Sequence, residues 1–291
     1  MKVYGLTKRA WNLNRYKDIV INYTSEHPDK KLSEYSRLDE ETFGTISNIP
    51  FVLKNCDIFE KNGINWSFNF FYKNYGNLEL EITHKDENNL LKQTTILRDF
   101  IKNSIFSKRY DLQKEYSIHS WLFELQAPEL LDHYDVPKYL INWFEGLEEY
   151  IRPKIRFIFM GKSNTGTSFH TEPMDTGAWN YLIEGEKVWF FLEPDTKAKV
   201  GDYLKFRDLL NVENILKLNP IVHIQKMGEL IYIPSKWWHA VYNTENYLAL
   251  SENFMNKYNY INVLEYLKTN NRIGFYNVYS NYINKISENR S

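Results

Sequence analysis

Short apolar runs separated by turns fill most of this chain, and helical periods stand near its ends. The first 40 residues are polar and mixed. Trp11, Ile19 and Ile21 support at most a short helix, and His27-Pro28-Asp29 reads as a turn. Pro50-Phe51-Val52-Leu53 predicts a strand. The aromatic-rich stretch 65–75 precedes Gly76, a helix end, and its rings read as core rather than as a base-stacking platform. Leu78 to Ile82 alternates strictly, the period of a half-buried strand. Thr95 is placed to cap a helix whose face carries Leu97, Phe100, Ile101 and Ser104. Residues 121–125 read as strand, and 128–134 and 137–150 as two short helices.

From Arg156 onward the pattern is mainly strand-like: 156–160, 179–183, 187–192, 221–226, 230–233, 237–242 and 247–252, with a helical segment at 203–218. Many short strands divided by turns predict an antiparallel sandwich or barrel. The end of the chain returns to helix. Tyr260, Val263, Leu264 and Leu267 form one apolar stripe, and Phe275, Val278, Tyr282 and Ile286 another. Repeats, linker-like stretches and heptads are absent from the sequence, and so is an apolar run long enough for a transmembrane helix.

Composition narrows the function more than the fold. The 291 residues allow one large domain or two small ones. Lys plus Arg is 36 and Asp plus Glu is 37, so the broad basic field of a non-specific nucleic-acid binder is missing, although a local basic patch is not excluded. Hydrophobic residues make up 43% and aromatic residues 16%, which argues for a sizeable core and against disorder. A single cysteine, Cys56, excludes an intrachain disulfide framework and an all-cysteine metal site. Lys2, Lys8, Arg9 and Arg15 lie near the amino terminus without an apolar segment beside them, so no secretory signal is read there. The expectation is a soluble intracellular protein, cytoplasmic or nuclear, with no membrane partner.

Three residues stand out chemically. His170-Thr171-Glu172 is an H-x-E on a strand or at its mouth, where residues i and i+2 point the same way. A second imidazole from a distant strand would complete a two-histidine, one-carboxylate set, which holds Fe(II) on one face and leaves positions open. Alone, the triplet reads first as a surface histidine and a surface glutamate, because such triplets arise often by chance. Residues 178–190 read as a hairpin around Glu184-Gly185, which places Asn180, Leu182, Lys187 and Trp189 on one face. A lysine on such a face either meets an anion or snorkels to solvent, and the hairpin does not decide between them. Residues 228–241 read as strand, Pro-containing turn and strand, with His239 on the face of Trp237 and Val241. His27, His84, His119, His133 and His223 match no motif and read as surface or core. Met160 and Met174 read as packing filler.

The segment from Phe43 to Phe254 resembles the JmjC (jumonji C) domain of the cupin superfamily. The likeness rests on the order of Trp121-Leu122-Phe123, Tyr134-Asp135-Val136-Pro137-Lys138, Phe159-Met160-Gly161, Gly166-Thr167 and the H-x-E. It continues through Ala178-Trp179-Asn180, Gly185-Glu186-Lys187, Gly228-Glu229, Pro234, Trp237-Trp238-His239 and Asn253-Phe254. The chain is most similar to the small JmjC protein hydroxylases of the lysyl-hydroxylase, phosphatidylserine-receptor-like branch. The resemblance implies a mainly β fold with flanking helices, built on a double-stranded β-helix (jelly roll). It implies an N-terminal lead at 1–42, a JmjC/cupin domain at 43–255 and a C-terminal helical segment at 256–291 that packs on the core or forms a homodimer interface.

The resemblance also implies an Fe(II)- and 2-oxoglutarate-dependent dioxygenase, with O2 as second co-substrate and succinate and CO2 as products. Carried over by position, His170, Glu172 and His239 match the iron ligands. Lys187 matches the lysine that pairs with the distal carboxylate of 2-oxoglutarate, and Thr167 and Asn180 match residues that hydrogen-bond the co-substrate. Ser251 and Asn253 match a further polar pair near it. Trp121 stands where relatives often place a tyrosine against 2-oxoglutarate, but an indole N–H can only donate. The related hydroxylases generally use H-x-D where this chain has Glu172; histone demethylases of the family use H-x-E. Asp175, five residues past His170, is the poorer candidate ligand. The substrate implied is a protein or peptide side chain, hydroxylated or demethylated through hydroxylation. The alternatives are the same chemistry on a small molecule, a free amino acid or a modified tRNA base, and a cupin that binds metal without turnover.

Overall fold

The computed structural model describes residues 3–59, 63–85, 90–107, 116–196 and 209–288. Its first half supplies α1 (Val3–Glu26), β1 (Ser33–Tyr35), α2 (Glu40–Ile46), β2 (Phe51–Leu53), α3 (Phe68–Asn74), β3 (Glu79–Lys85), β4 (Leu90–Ile96), α4 (Leu97–Phe100) and β5 (Tyr116–Trp121). The second half supplies β6 (Arg156–Gly161), β7 (Thr165–His170), β8 (Gly177–Glu184), β9 (Glu186–Leu192), α5 (Val212–Leu216), β10 (Ile221–Lys226), β11 (Leu230–Ile233), β12 (Trp238–Asn243), β13 (Tyr247–Phe254), α6 (Tyr260–Thr269) and α7 (Ile273–Glu288).

Two sheets form, in the orders β1-β2-β11-β8-β13-β6-β5-β3-β4 and β10-β9-β12-β7. From β6 to β13 the chain divides its strands between the sheets so that β11, β8, β13 and β6 face β10, β9, β12 and β7. This is the jelly roll that the resemblance implied. It corrects one local expectation. Strands β8 and β9 are not a hairpin pair, because β8 lies between β11 and β13 while β9 lies between β10 and β12. The chain crosses from one sheet to the other at Gly185, whose φ is +97°; a Cβ there would lie 2.2 Å from the Asn246 carbonyl oxygen. Burial of nearly every residue of β8 and β9 follows, since both of their faces are covered.

The amino-terminal segment forms a 24-residue helix, longer than the polar pattern predicted. Packing accounts for it: Tyr16 and Val20 are buried, and Tyr16 stacks on Tyr242 of β12 at 4.2 Å between ring centroids. Lys17 pairs with the buried Glu186 at 2.7 Å. In the 65–75 stretch Trp66, Phe68 and Phe71 enter the main core, with Ser67 capping α3. Thr95 belongs to β4 and does not cap α4, yet Leu97, Phe100, Ile101 and Ser104 are all buried, as their spacing predicted.

Residues 123–151 form a series of 3₁₀ turns where a strand and two helices were expected. Pro128 and Pro137 each remove an amide donor, and the turns instead lay Phe123, Leu130 and Phe144 into the core one at a time. Of the helix expected at 203–218, positions 203–208 lie outside the described residues, and α5 covers the remainder only in part. In α6 Val263 and Leu267 are buried. In α7 the buried positions are Tyr279 and Ile283, while Phe275 and Val278 are exposed, so the second stripe is rotated from its predicted face. Among the described residues no helix is long and apolar enough to cross a membrane.

Candidate functional site

One cavity of about 300 Å³ lies inside the jelly roll. It collects Thr167, His170, Glu172, Asn180, Lys187, His239, Ser251 and Asn253, eight of the nine residues singled out from the sequence. The ninth, Trp121, is corrected. Its ring packs against Phe71 in the main core and its indole N–H donates to Gln126 Oε1 at 2.8 Å, so it does not line the cavity.

Strand pairing brings the two histidines together: His170 closes β7 and lies opposite His239 on β12, with 4.1 Å between ring centroids. A bulge between His239 and Val241 re-aims β12 at this point. Nδ1 of His170 lies 2.9 Å from the Ser168 carbonyl oxygen, and Nδ1 of His239 lies 3.2 Å from that of Trp237. A carbonyl only accepts, so each neutral ring carries its proton on Nδ1 and presents a bare Nε2. Glu172 follows β7 at the start of a 3₁₀ turn in which Met174 and Asp175 both take positive φ. Its Oε1 lies 3.2 Å from His239 Nε2, and its Oε2 accepts from Asn253 Nδ2 at 2.6 Å.

One ligand atom from each of His170, Glu172 and His239 lies within 4.8 Å of the others. Burial alone would raise the Glu172 carboxyl. The hydrogen bond and charge that His239 offers when protonated, the charge of a protonated His170 and the Asn253 amide outweigh it and hold the group down to about 2. It is therefore a carboxylate at any physiological pH. Two imidazoles and a carboxylate on one side of a cavity fit a divalent transition metal and leave its other side open.

Lys187 is also buried, 4% exposed, with Nζ 4.7 Å from the Tyr247 ring and 6.0 Å from that of Phe159. Among the described residues no carboxylate faces it, and burial alone pushes its amine down to about 7. Asn180 nearby has a buried Oδ1 without a partner. A buried amine of this kind is costly until an anion reaches it, so the cavity fits a small carboxylate with hydrogen-bonding capacity. Lys187 thus does not snorkel. Asn180, Lys187 and Trp189 do face one cavity, although they reach it from two sheets instead of one hairpin. Behind it, Gln225 is fully buried, accepting from Trp189 Nε1 at 2.8 Å and donating to the Asn180 carbonyl at 3.0 Å. Ser251 Oγ donates to the Trp179 carbonyl at 2.6 Å.

Sequence reasoning missed Tyr247, Phe157, Phe159, Asn243, His119 and Ser120, which also line the cavity. The signal for four of them was present. Alternate residues share a strand face, so Ser251 and Asn253 carry Tyr247 with them on β13, and His239 carries Val241 and Asn243 on β12. Phe157 and Phe159 likewise alternate on β6. His119 and Ser120 are adjacent, and nothing in their spacing marked them. His223, unmatched to any motif, is buried against Glu229 at 2.9 Å.

Comparison with known proteins agrees with this geometry. Residues 157–254 match the family described as JmjC domain, hydroxylase. An arginine-specific demethylase of Arabidopsis thaliana, JMJ22, is 33% identical over 51% of this chain and 32% of its own length. The Caenorhabditis elegans bifunctional arginine demethylase and lysyl-hydroxylase psr-1 is 29% identical over 44% of this chain and 37% of its own. The mouse 2-oxoglutarate and iron-dependent oxygenase JMJD4 is 24% identical over 69% and 52%. The chain thus spans about a third to a half of the length of these relatives. The matched residues 157–254 carry both histidines, Glu172 and Lys187 within the jelly roll, so this segment of the chain is similar to JmjC domains.

Proposed function

We propose that this protein is an Fe(II)- and 2-oxoglutarate-dependent oxygenase that hydroxylates a side chain of a protein or peptide. The observation that carries the reading is one cavity joining the His170, Glu172 and His239 donor set to a buried lysine with no acidic partner among the described residues. His170, Glu172 and His239 would hold the iron. Lys187 would anchor the distal carboxylate of 2-oxoglutarate, with Asn180 and Thr167 hydrogen-bonding its other end. Bound iron supplies the oxidising chemistry, in which 2-oxoglutarate and O2 give succinate, CO2 and one oxygen atom added to the substrate. The surrounding residues position and exclude water: Trp189, Ile233 and Val241 wall the chamber, and Phe157 and Phe159 line it from β6.

The similarity to psr-1, an arginine demethylase and lysyl-hydroxylase, and to JMJ22, an arginine-specific demethylase, supports a protein substrate. Removal of an N-methyl group begins with the same hydroxylation, so both outcomes use one site. Purified protein with Fe(II) and 2-oxoglutarate is expected to form succinate slowly without substrate, and His239→Ala to abolish it. Absence of 2-oxoglutarate binding under anaerobic Fe(II) would sink the enzyme reading. Peptide, amino-acid and tRNA pools, read by mass spectrometry for a gain of one oxygen, test the substrate class. A product confined to the tRNA or amino-acid pool would refute the choice of protein.

A further inference from the structure

Glu172 poses a problem that its neighbours answer. A glutamate carries one more rotatable bond than an aspartate, so its carboxylate has more ways to sit, including one in which both oxygens meet a metal. Asn253 restricts it: Nδ2 donates to Glu172 Oε2 at 2.6 Å, and Oε1 is the oxygen facing His239 Nε2 at 3.2 Å.

The orientation of that amide follows from its other partner. Thr176 donates its hydroxyl to the Pro173 carbonyl at 2.8 Å, so toward Asn253 it can only accept. The group 3.0 Å away must be the amide nitrogen, which places the NH2 and not the carbonyl on Glu172. Asn253 is held in turn. It is 5% exposed, its N–H donates to the Ile155 carbonyl at 3.0 Å, and its own carbonyl accepts from Asn142 Nδ2 at 3.1 Å. Asn142 also donates to Glu252 at 2.7 Å, and Glu252 pairs with Arg156 at 3.3 Å.

We propose that Asn253 is a positioning residue of the metal centre: its amide occupies one oxygen of Glu172 and leaves the other as a single ligand atom. This rests on the reading of His170, Glu172 and His239 as metal ligands. It gives Asn253 a role toward the carboxylate in place of the contact with 2-oxoglutarate that the resemblance implied. A glutamate in the H-x-E is then tolerated because a fixed donor removes its extra freedom.

The test uses the full chain under anaerobic conditions with Co(II) as a spectroscopic probe and no 2-oxoglutarate. Asn253→Ala is expected to weaken Co(II) binding by about 10–100-fold, the range for losing an outer partner of a ligand. The Co(II) visible bands should change shape as the carboxylate takes up a different mode. Asn253→Ser replaces it if the alanine variant does not fold. In a Glu172→Asp background, where the shorter side chain no longer reaches Asn253, the same substitution should have almost no effect. With Co(II) saturating, 2-oxoglutarate affinity should match that of the unaltered protein. Wild-type Co(II) affinity and bands in the Asn253 variant, with only 2-oxoglutarate binding weakened, would overturn the proposal. So would an equal loss in both backgrounds. Failure of the unaltered protein to bind Co(II) would instead overturn the ligand reading beneath it.

Discussion

Raising the pH should weaken 2-oxoglutarate binding through one residue. Burial holds the Lys187 amine at about 7 against an ordinary 10.5. At pH 8 only about one ligand-free molecule in ten then carries a charged Lys187. A carboxylate brought against it restores the charge, so binding at pH 8 should take up about 0.9 proton. If the charged amine is the binding form, affinity should fall about 50-fold between pH 7 and pH 9. The assay is calorimetry in two buffers of different ionisation heat, anaerobically, with the metal saturating so that the histidines do not titrate. The same linkage acts on folding. The unfolded chain binds the lysine proton more tightly, so from this group the stability of the ligand-free protein rises with pH between about 7 and 10.5. One pKa unit is about 1.4 kcal/mol, so the charged lysine in the empty cavity costs up to about 5 kcal/mol. Lys187→Met should therefore abolish 2-oxoglutarate binding while raising the melting temperature of the ligand-free protein at pH 7. Proton-independent binding, with equal affinity at pH 7 and pH 9, would refute the reasoning.

Three further substitutions separate structure from site. Arg156→Ala leaves Glu252 buried without its ion pair and should cost about 3–5 kcal/mol in urea unfolding. Gly185→Ala combines a positive φ with a Cβ 2.2 Å from a carbonyl oxygen; it should cost well over 1 kcal/mol, read as a fall in melting temperature. Trp121→Tyr should leave 2-oxoglutarate affinity unchanged in direct binding, since the indole faces Gln126 and not the cavity; a gain in affinity would restore Trp121 to the site.

Local pattern in the sequence marked the strands from β6 to β13 apart from β7, and the family resemblance marked the chemistry they carry. Their apolar runs are short and bounded by turns, and both histidines, Glu172 and Lys187 occur in recognisable local patterns. Period-two alternation was enough to put Ser251 and Asn253 on one strand face, and only the resemblance set them beside Asn180. Alternation was not enough to choose partners. Leu182 and Lys187 look like a hairpin pair from the turn between them, and only the crossover at Gly185 sends them to different sheets. Long-range packing also decided α1, where a weak local pattern becomes a helix because Tyr16 and Val20 find Tyr242 and its neighbours. The turns of 123–151 gain their shape from the core positions they fill, and local propensity does not record those positions. The direction of Trp121 and the bond from Asn253 to Glu172 are of the same kind. Each depends on which of two nearby groups a side chain reaches in three dimensions, a choice made by distances that no spacing along the chain contains.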